Sequence, residues 1–180
     1  KLDTRADPTK HQGDFRKIVE GVNATLDAVI GPLNVAAEYV DRISKGDIPS
    51  LITTSYNGDF NAIKDNLNQC IEAVNLMIID VRMLSEAAVE GRLGTRADPF
   101  RHQGDFRKIV EGVNDTLDAV IEPVHEAMRV SGEYAAGNFT ARVDEKLHVK
   151  GEYVTFKEAL NRIGIELSRM MTIMNDELYQ

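Results

Sequence analysis

The sequence predicts an all-α protein, an elongated parallel homodimer whose helices form a four-helix coiled coil. Three observations carry this prediction. Aromatic residues make up only 6% of the 180 residues and tryptophan is absent, so a large globular core is not expected. Apolar residues recur at alternating steps of three and four positions, which is the spacing of a coiled-coil seam. A unit of about 46 residues repeats along the chain, as in an array.

The repeat is clearest in residues 2–33 and 93–124, which share the run His-Gln-Gly-Asp-Phe-Arg-Lys-Ile-Val-Glu-Gly-Val-Asn. A relaxed form of the pattern occurs four times: glycine, acid and aromatic, followed by apolar residues and an asparagine. We expect the chain to divide accordingly into a partial unit, consisting of a connector and a second helix, and three complete units. The ranges are 1–31 for the partial unit, then 32–76, 77–122 and 123–176, the last of which includes an exit helix.

Each copy of the relaxed pattern indicates a helix start. The glycine ends the preceding loop, and the acid can cap the helix or face its positive end. The aromatic residue then begins an apolar seam along the helix. The four acids are Asp14, Asp59, Asp105 and Glu152.

The four seams are of two kinds. In residues 15–43 and 106–134, two steps of four fall together, and Pro32 or Pro123 follows. Such a stutter locally unwinds a left-handed supercoil, so these helices enter their next unit at a changed rotational phase. The other seams run smoothly and without proline. They occupy residues 60–88 and 153–174.

Loops of about a dozen residues connect the helices, and each carries two apolar residues four positions apart, here termed anchors. A connector of this length allows two helices to run parallel, which a tight turn does not. Two helices with one narrow seam each cover one another poorly, whereas four around a common axis bury every seam, so we expect a homodimer. The anchor pairs are Leu2 and Ala6, Ile48 and Ile52, Leu93 and Ala97, and Phe139 and Val143.

A helix, an ordered connector with two anchors, and a second helix that opens with an acid together resemble the HAMP domain, over essentially the whole chain. HAMP domains end their first helix with a glycine, a polar residue and an apolar anchor. This chain matches that feature at Gly46-Asp47-Ile48, Gly91-Arg92-Leu93 and Gly137-Asn138-Phe139.

In the second helix, the four acids take the place of the acid in the HAMP signature. The later glycine of that signature is absent and is replaced by Arg16, Asn61, Arg107 and Val154. The terminal asparagine of the family pattern is matched by Asn23, Asn68, Asn114 and Asn161.

The resemblance implies a parallel homodimer with two helices per protomer in each unit, as in methyl-accepting chemotaxis proteins and sensor histidine kinases. It implies a cytoplasmic signal relay between input and output domains of the same chain, with no cofactor and no small-molecule ligand. The alternating junctions lead us to expect that neighbouring units prefer opposite packings. Two alternatives stay open: a static dimeric coiled-coil spacer or scaffold, and a monomeric helical-repeat module that binds peptides.

Composition argues against several other functions. The net charge of −8 is spread along the chain without a basic cluster, so nucleic acid is not an expected partner. No apolar stretch reaches the roughly 20 residues that cross a bilayer. His11 and His102 lack a second ligand at metal spacing, and no catalytic pair is evident, so we expect neither a metal site nor an enzyme. Cys70, the single cysteine, excludes an intrachain disulfide and is expected to be buried in its seam.

Overall fold

The computed structural model describes residues 2–178, which form α-helices and short 3₁₀ turns without a β-strand. The prediction of an all-α fold is therefore confirmed. The continuous seam predicted from Phe60 to Ala88 lies on one helix, as expected. The helices are α1 (Gly13–Ser44), α2 (Asp59–Val89), α3 (Gly104–Ala135) and α4 (Glu152–Leu178), and the 3₁₀ turns are Pro8–Lys10 and Pro99–Arg101.

Two helices continue through a proline. Pro32 lies inside α1 and Pro123 inside α3. Proline has no N–H group, so the carbonyl groups four residues earlier, those of Ala28 and Ala119, lose their helical hydrogen bonds. Each of these helices therefore has a weakened turn close to its stutter, whereas α2 has no proline.

The chain divides into two compact units at a point within α2, between Arg82 and Met83. In the unit that begins at Met83, the core joins α3, the following connector and α4. Its buried residues are Val130, Tyr134, Val143 and Leu160, with Ala127, Phe139, Ala141 and Leu147 packed against them. In the other unit, the buried apolar residues of the core are Ile30, Ile52 and Ile71.

The predicted seams remain largely exposed within the single chain. Phe15 is 75% exposed and Val81 52%. Several buried apolar residues lie one position beside the seam, such as Val110 next to Ile109. Cys70 is exposed in the single chain, so its predicted burial in the seam depends on a second copy. The chain therefore buries one apolar stripe and leaves most of the seam exposed, although the seam residues Tyr134 and Leu160 are each only 9% exposed.

A search of residues 2–178 finds no helix with the length and apolar character required to span a membrane.

Candidate functional site: the connector clamps

The connectors start in the same way at the ends of α1, α2 and α3. At Gly46, where φ is +78°, the Gly46 N–H donates to the carbonyl of Ile43 at 2.9 Å and the Asp47 N–H to that of Arg42 at 3.0 Å. This pair of bonds is a Schellman motif, which requires the left-handed conformation that glycine adopts without strain. Gly91 and Gly137 form the same motif with their own helices.

The predicted anchors lie at the contact between connector and helices. The second anchor is buried in all three connectors that follow a helix: Ile52 is 7% exposed, Ala97 4% and Val143 5%. Leu2 is 61% exposed and Ala6 is also exposed, in a connector that follows no helix within these residues. The first anchors of the other connectors, Ile48, Leu93 and Phe139, are half-buried.

The terminal asparagine of each pattern holds the second anchor by its backbone. The side-chain oxygen of Asn68 accepts from the Ile52 N–H at 2.8 Å, and its amide nitrogen donates to the Ile52 carbonyl at 3.0 Å. An isolated connector residue has no helical or sheet partner, so this side chain satisfies both of its backbone groups. We call this arrangement the asparagine clamp, and it fixes the connector to one point on the second helix.

The asparagine clamp recurs with both hydrogen bonds at two other connectors and with one at the last. Asn23 exchanges two hydrogen bonds with Ala6, at 3.1 and 2.8 Å, and Asn114 does the same with Ala97 at the same two distances. Asn161 accepts from the Val143 N–H at 2.9 Å. The sequence analysis recognised the asparagines and the anchors separately and did not bring them together. Their separation, which stays between 16 and 18 residues, was the signal available in the sequence.

An arginine directly precedes the second anchor in three of the four connectors. Arg96 donates through Nη1 to the carbonyl of the first anchor, Leu93, at 2.8 Å, and forms an ion pair with Asp118 at 2.6 Å. Arg5 makes the matching bonds with Leu2 and Asp27. Arg142 likewise donates to the first anchor of its connector, Phe139, at 2.7 Å. In the second connector, Leu51 stands in this position.

The four predicted acids lie at the helix starts. Asp14 and Asp105 fall in the first turns of α1 and α3, where Gln12 and Gln103 occupy the N-cap positions and make no side-chain capping bond. Each acid side chain is about nine-tenths exposed and pairs with a lysine three residues later. A carboxylate at this position interacts favourably with the positive helix end. Asp59 and Glu152 are the first residues of α2 and α4.

A further polar network holds the connector between α3 and α4. Glu126 accepts from Arg129 at 2.6 Å and from the Asp144 N–H at 2.7 Å. The hydrogen bond from Arg129 lowers the pKa of the Glu126 carboxyl below its ordinary value, and the bond from Asp144 adds to this effect. Lys157 of α4 donates to the Asp144 carbonyl at 2.9 Å. This connector is thus tied to both of its helices.

The two helix prolines border open grooves. Pro32 lies in a groove of about 800 Å³ between α1 and the connector residues Ser55–Asn57. Pro123 lies in a comparable groove of about 550 Å³ beside Val149. The loop histidines differ in environment, because His11 is exposed and His102 is buried. Residues 2–178 contain no group of three or more metal-binding side chains.

Comparison with known families gives one result. A family model for the HAMP domain matches residues 10–76 and 101–168, which together make up more than half of the chain. Each matched region contains a connector, its buried second anchor and the asparagine that clamps it, Asn68 in one and Asn161 in the other. HAMP domains are non-catalytic linkers in signal transduction.

Proposed function

Because the chain belongs to the HAMP domain family, we propose that it relays conformational signals between an input and an output domain, as part of a chemoreceptor of the methyl-accepting type or of a sensor kinase. The observation that carries this proposal is the two-ended attachment of each complete connector. A Schellman glycine fixes the connector to the first helix, and an asparagine clamp fixes it to the second. A displacement of the first helix is therefore transmitted through the connector to a defined point on the second helix.

The working form is a parallel, in-register homodimer. The support is the uncovered seam: large apolar side chains such as Phe15 and Val40 are exposed in one chain, at coiled-coil spacing. A second copy, placed in parallel, brings four helices around one axis in every unit and covers these side chains.

The relay units are residues 32–76, 77–122 and 123–176, preceded by the partial unit 1–31. Each of these complete ranges holds one connector between a first and a second helix. The flanking sensor and output domains belong to the same polypeptide, and the array works on the cytoplasmic side. No cofactor, nucleic acid or small ligand takes part.

The alternation of junctions suggests how the signal travels. A stutter changes the rotational phase of a seam, and Pro32 and Pro123 weaken the helix at the same place. Neighbouring units then favour opposite packings of similar free energy, and a signal passes as a helix rotation that inverts at each unit. The alternative is a static dimeric spacer. In a spacer, a deletion changes only the length of the array, and the rotational phase of each junction has no effect on the output.

A deletion series tests the relay against the spacer. The chain is placed between a sensor domain and a kinase domain, and kinase activity is measured with and without stimulus. Removal of one heptad, residues 75–81, from the smooth α2 keeps the seam in phase, so the response should be preserved. Removal of four residues, 28–31, at the stuttered junction of α1 should invert or lock the response. Equal effects of the two deletions, with helicity retained by circular dichroism, would contradict the relay.

A further inference from the structure

The last unit contains an aromatic side chain that inserts between its two helices. Tyr134 lies in the last turns of α3 and is only 9% exposed. Its hydroxyl is shared between the carbonyl oxygens of Ala141, at 3.0 Å, and Leu160, at 3.2 Å. The Tyr134 side chain thus links α3 to the connector and to α4. Its hydroxyl is hydrogen-bonded to a backbone carbonyl of each.

The space for this ring is provided by a glycine on α4. A Cβ atom at Gly164 would overlap the Tyr134 hydroxyl and would lie 2.6 Å from both the Tyr134 Cζ atom and Arg142 Nη1, so even an alanine does not fit beside the tyrosine and the connector arginine. The clash involves the end of a rigid aromatic ring whose hydroxyl is already bound to backbone. Tyr134 and Gly164 are therefore complementary as a knob and a notch.

The corresponding positions of the earlier units carry other pairs of sizes. The first position lies three residues before the glycine that opens a connector, and the second lies three residues after the clamping asparagine. The two positions are of similar size in the first complete unit, small and large in the second, and large and small in the last, which alone combines the largest residue with the smallest. The pairs are Ile43 and Ile71, Ala88 and Leu117, and Tyr134 and Gly164.

The connector of the last unit is also the most heavily bonded where it passes this pair. Ser168 donates to the Phe139 carbonyl at 3.0 Å, beside the bond from Arg142 to the same oxygen. Lys157 and Glu126 hold the backbone of Asp144 from the two helices. By contrast, the second connector has Leu51 where Arg142 stands in the last.

We propose that Tyr134 and Gly164 form a steric lock that restrains the rotation of α4 against α3, so that residues 123–176 favour one packing more strongly than the units before them. A rotation of α4 would carry the notch away from the ring and break both bonds of the hydroxyl. The consequence for signalling rests on the proposed relay, in which this unit would need the strongest input to change its packing. The lock itself is a property of one helix pair and is tested separately.

Hydrogen exchange of the full chain, read by mass spectrometry, provides the test. In the unmodified chain, amides of residues 138–150 should exchange about tenfold more slowly than those of residues 47–57. Gly164→Ala expels the ring and should remove this difference without changing residues 47–57. The matched control is Gly132→Ala on α3, where an added Cβ meets no atom within 4 Å, and exchange should stay unchanged.

A double variant tests the lock even if Gly164→Ala does not fold. Tyr134→Ala with Gly164→Leu restores the small and large pair of the preceding unit, so it should fold, with residues 138–150 exchanging as fast as residues 47–57. Failure of the double variant to fold would overturn the lock, as would unchanged exchange in Gly164→Ala or equal exchange of the two connectors in the unmodified chain. Equal effects of the two deletions on kinase activity, with the exchange difference intact, would remove the relay and leave the lock standing.

Discussion

Residues 2–33 and 93–124 are two copies of nearly one sequence, and they share their polar contacts. Asn23 clamps Ala6 at 3.1 and 2.8 Å, and Asn114 clamps Ala97 at the same distances. The arginine ion pairs to the following helix, at 2.7 and 2.6 Å, also agree. These contacts join a connector only to the helix that follows it. They are therefore encoded within the duplicated segment itself.

The apolar burial of the two copies differs. Ala6 and His11 are exposed, whereas Ala97 is 4% and His102 6% exposed. The second copy follows the helix α2, and the first follows no helix within these residues. The polar clamps are thus alike in the two copies, and burial of the second anchor accompanies the presence of a preceding helix.

The largest expected difference between the copies follows from placing a charge at the second anchor. Ala97→Asp puts a carboxylate at a buried site and should lower the free energy of unfolding by about 3 kcal/mol. Ala6→Asp, at the exposed counterpart, should change it by less than about 0.5 kcal/mol. Urea unfolding of both variants measures the difference. Similar losses would show that the burial difference between the copies does not exist in solution.

Removal of the asparagine clamp should produce a smaller difference between the two copies in the loss of free energy of unfolding. Asn114→Ala leaves the N–H and carbonyl of Ala97 without partners in a partly buried place, at a cost of about 2 kcal/mol. Asn23→Ala exposes the same groups of Ala6 to water, which replaces the lost bonds, so less than about 1 kcal/mol is expected. Urea unfolding monitored by circular dichroism gives both values. A larger loss for Asn23→Ala would contradict the account.

The two proline junctions offer a third contrast, because Gly31 precedes Pro32 where Glu122 precedes Pro123. Glycine lowers the stability of a helix interior relative to glutamate. Gly31→Glu should therefore stabilise the first junction by about 0.5 to 1 kcal/mol, seen as a raised Tm. Glu122→Gly should lower the Tm by a similar amount. Tm shifts of the same sign in both variants would contradict the expectation that glycine before the proline destabilises the junction.

The smallest effect concerns pH and the connector that has no counterpart in the duplication. The pKa of Glu126 is lowered in the folded chain by the hydrogen bond from Arg129, so its stabilising contribution is present above the pKa of the unfolded chain. That contribution is lost as pH falls through the lowered folded value. The Tm difference between the native chain and Glu126→Gln should thus be greatest near neutral pH and disappear in acid. Glu122→Gln is the control, and a difference that grows in acid would contradict the assignment.

Helix positions followed from the sequence because they depend on local spacing: Phe60 through Ala88 lie on α2 as predicted, and the anchor pairs mark the connectors. The asparagine clamps did not follow, because they form only when the connector folds back over the second helix. The fit of Tyr134 to Gly164 requires knowledge of which helix faces meet. Cys70 is exposed in one chain, and its predicted burial depends on the second copy that would cover the seam.

Disulfide trapping of Cys70 with a light-scattering mass tests most directly the claim that a second copy completes each unit. In a parallel, in-register dimer, the two Cys70 side chains face each other across the seam, so mild oxidation should rapidly link a two-chain species. The control carries Cys70→Ser with Glu72→Cys, about 200° around the helix, and should link slowly. A monomer by light scattering, or equally slow linking of both chains, would contradict the dimeric relay.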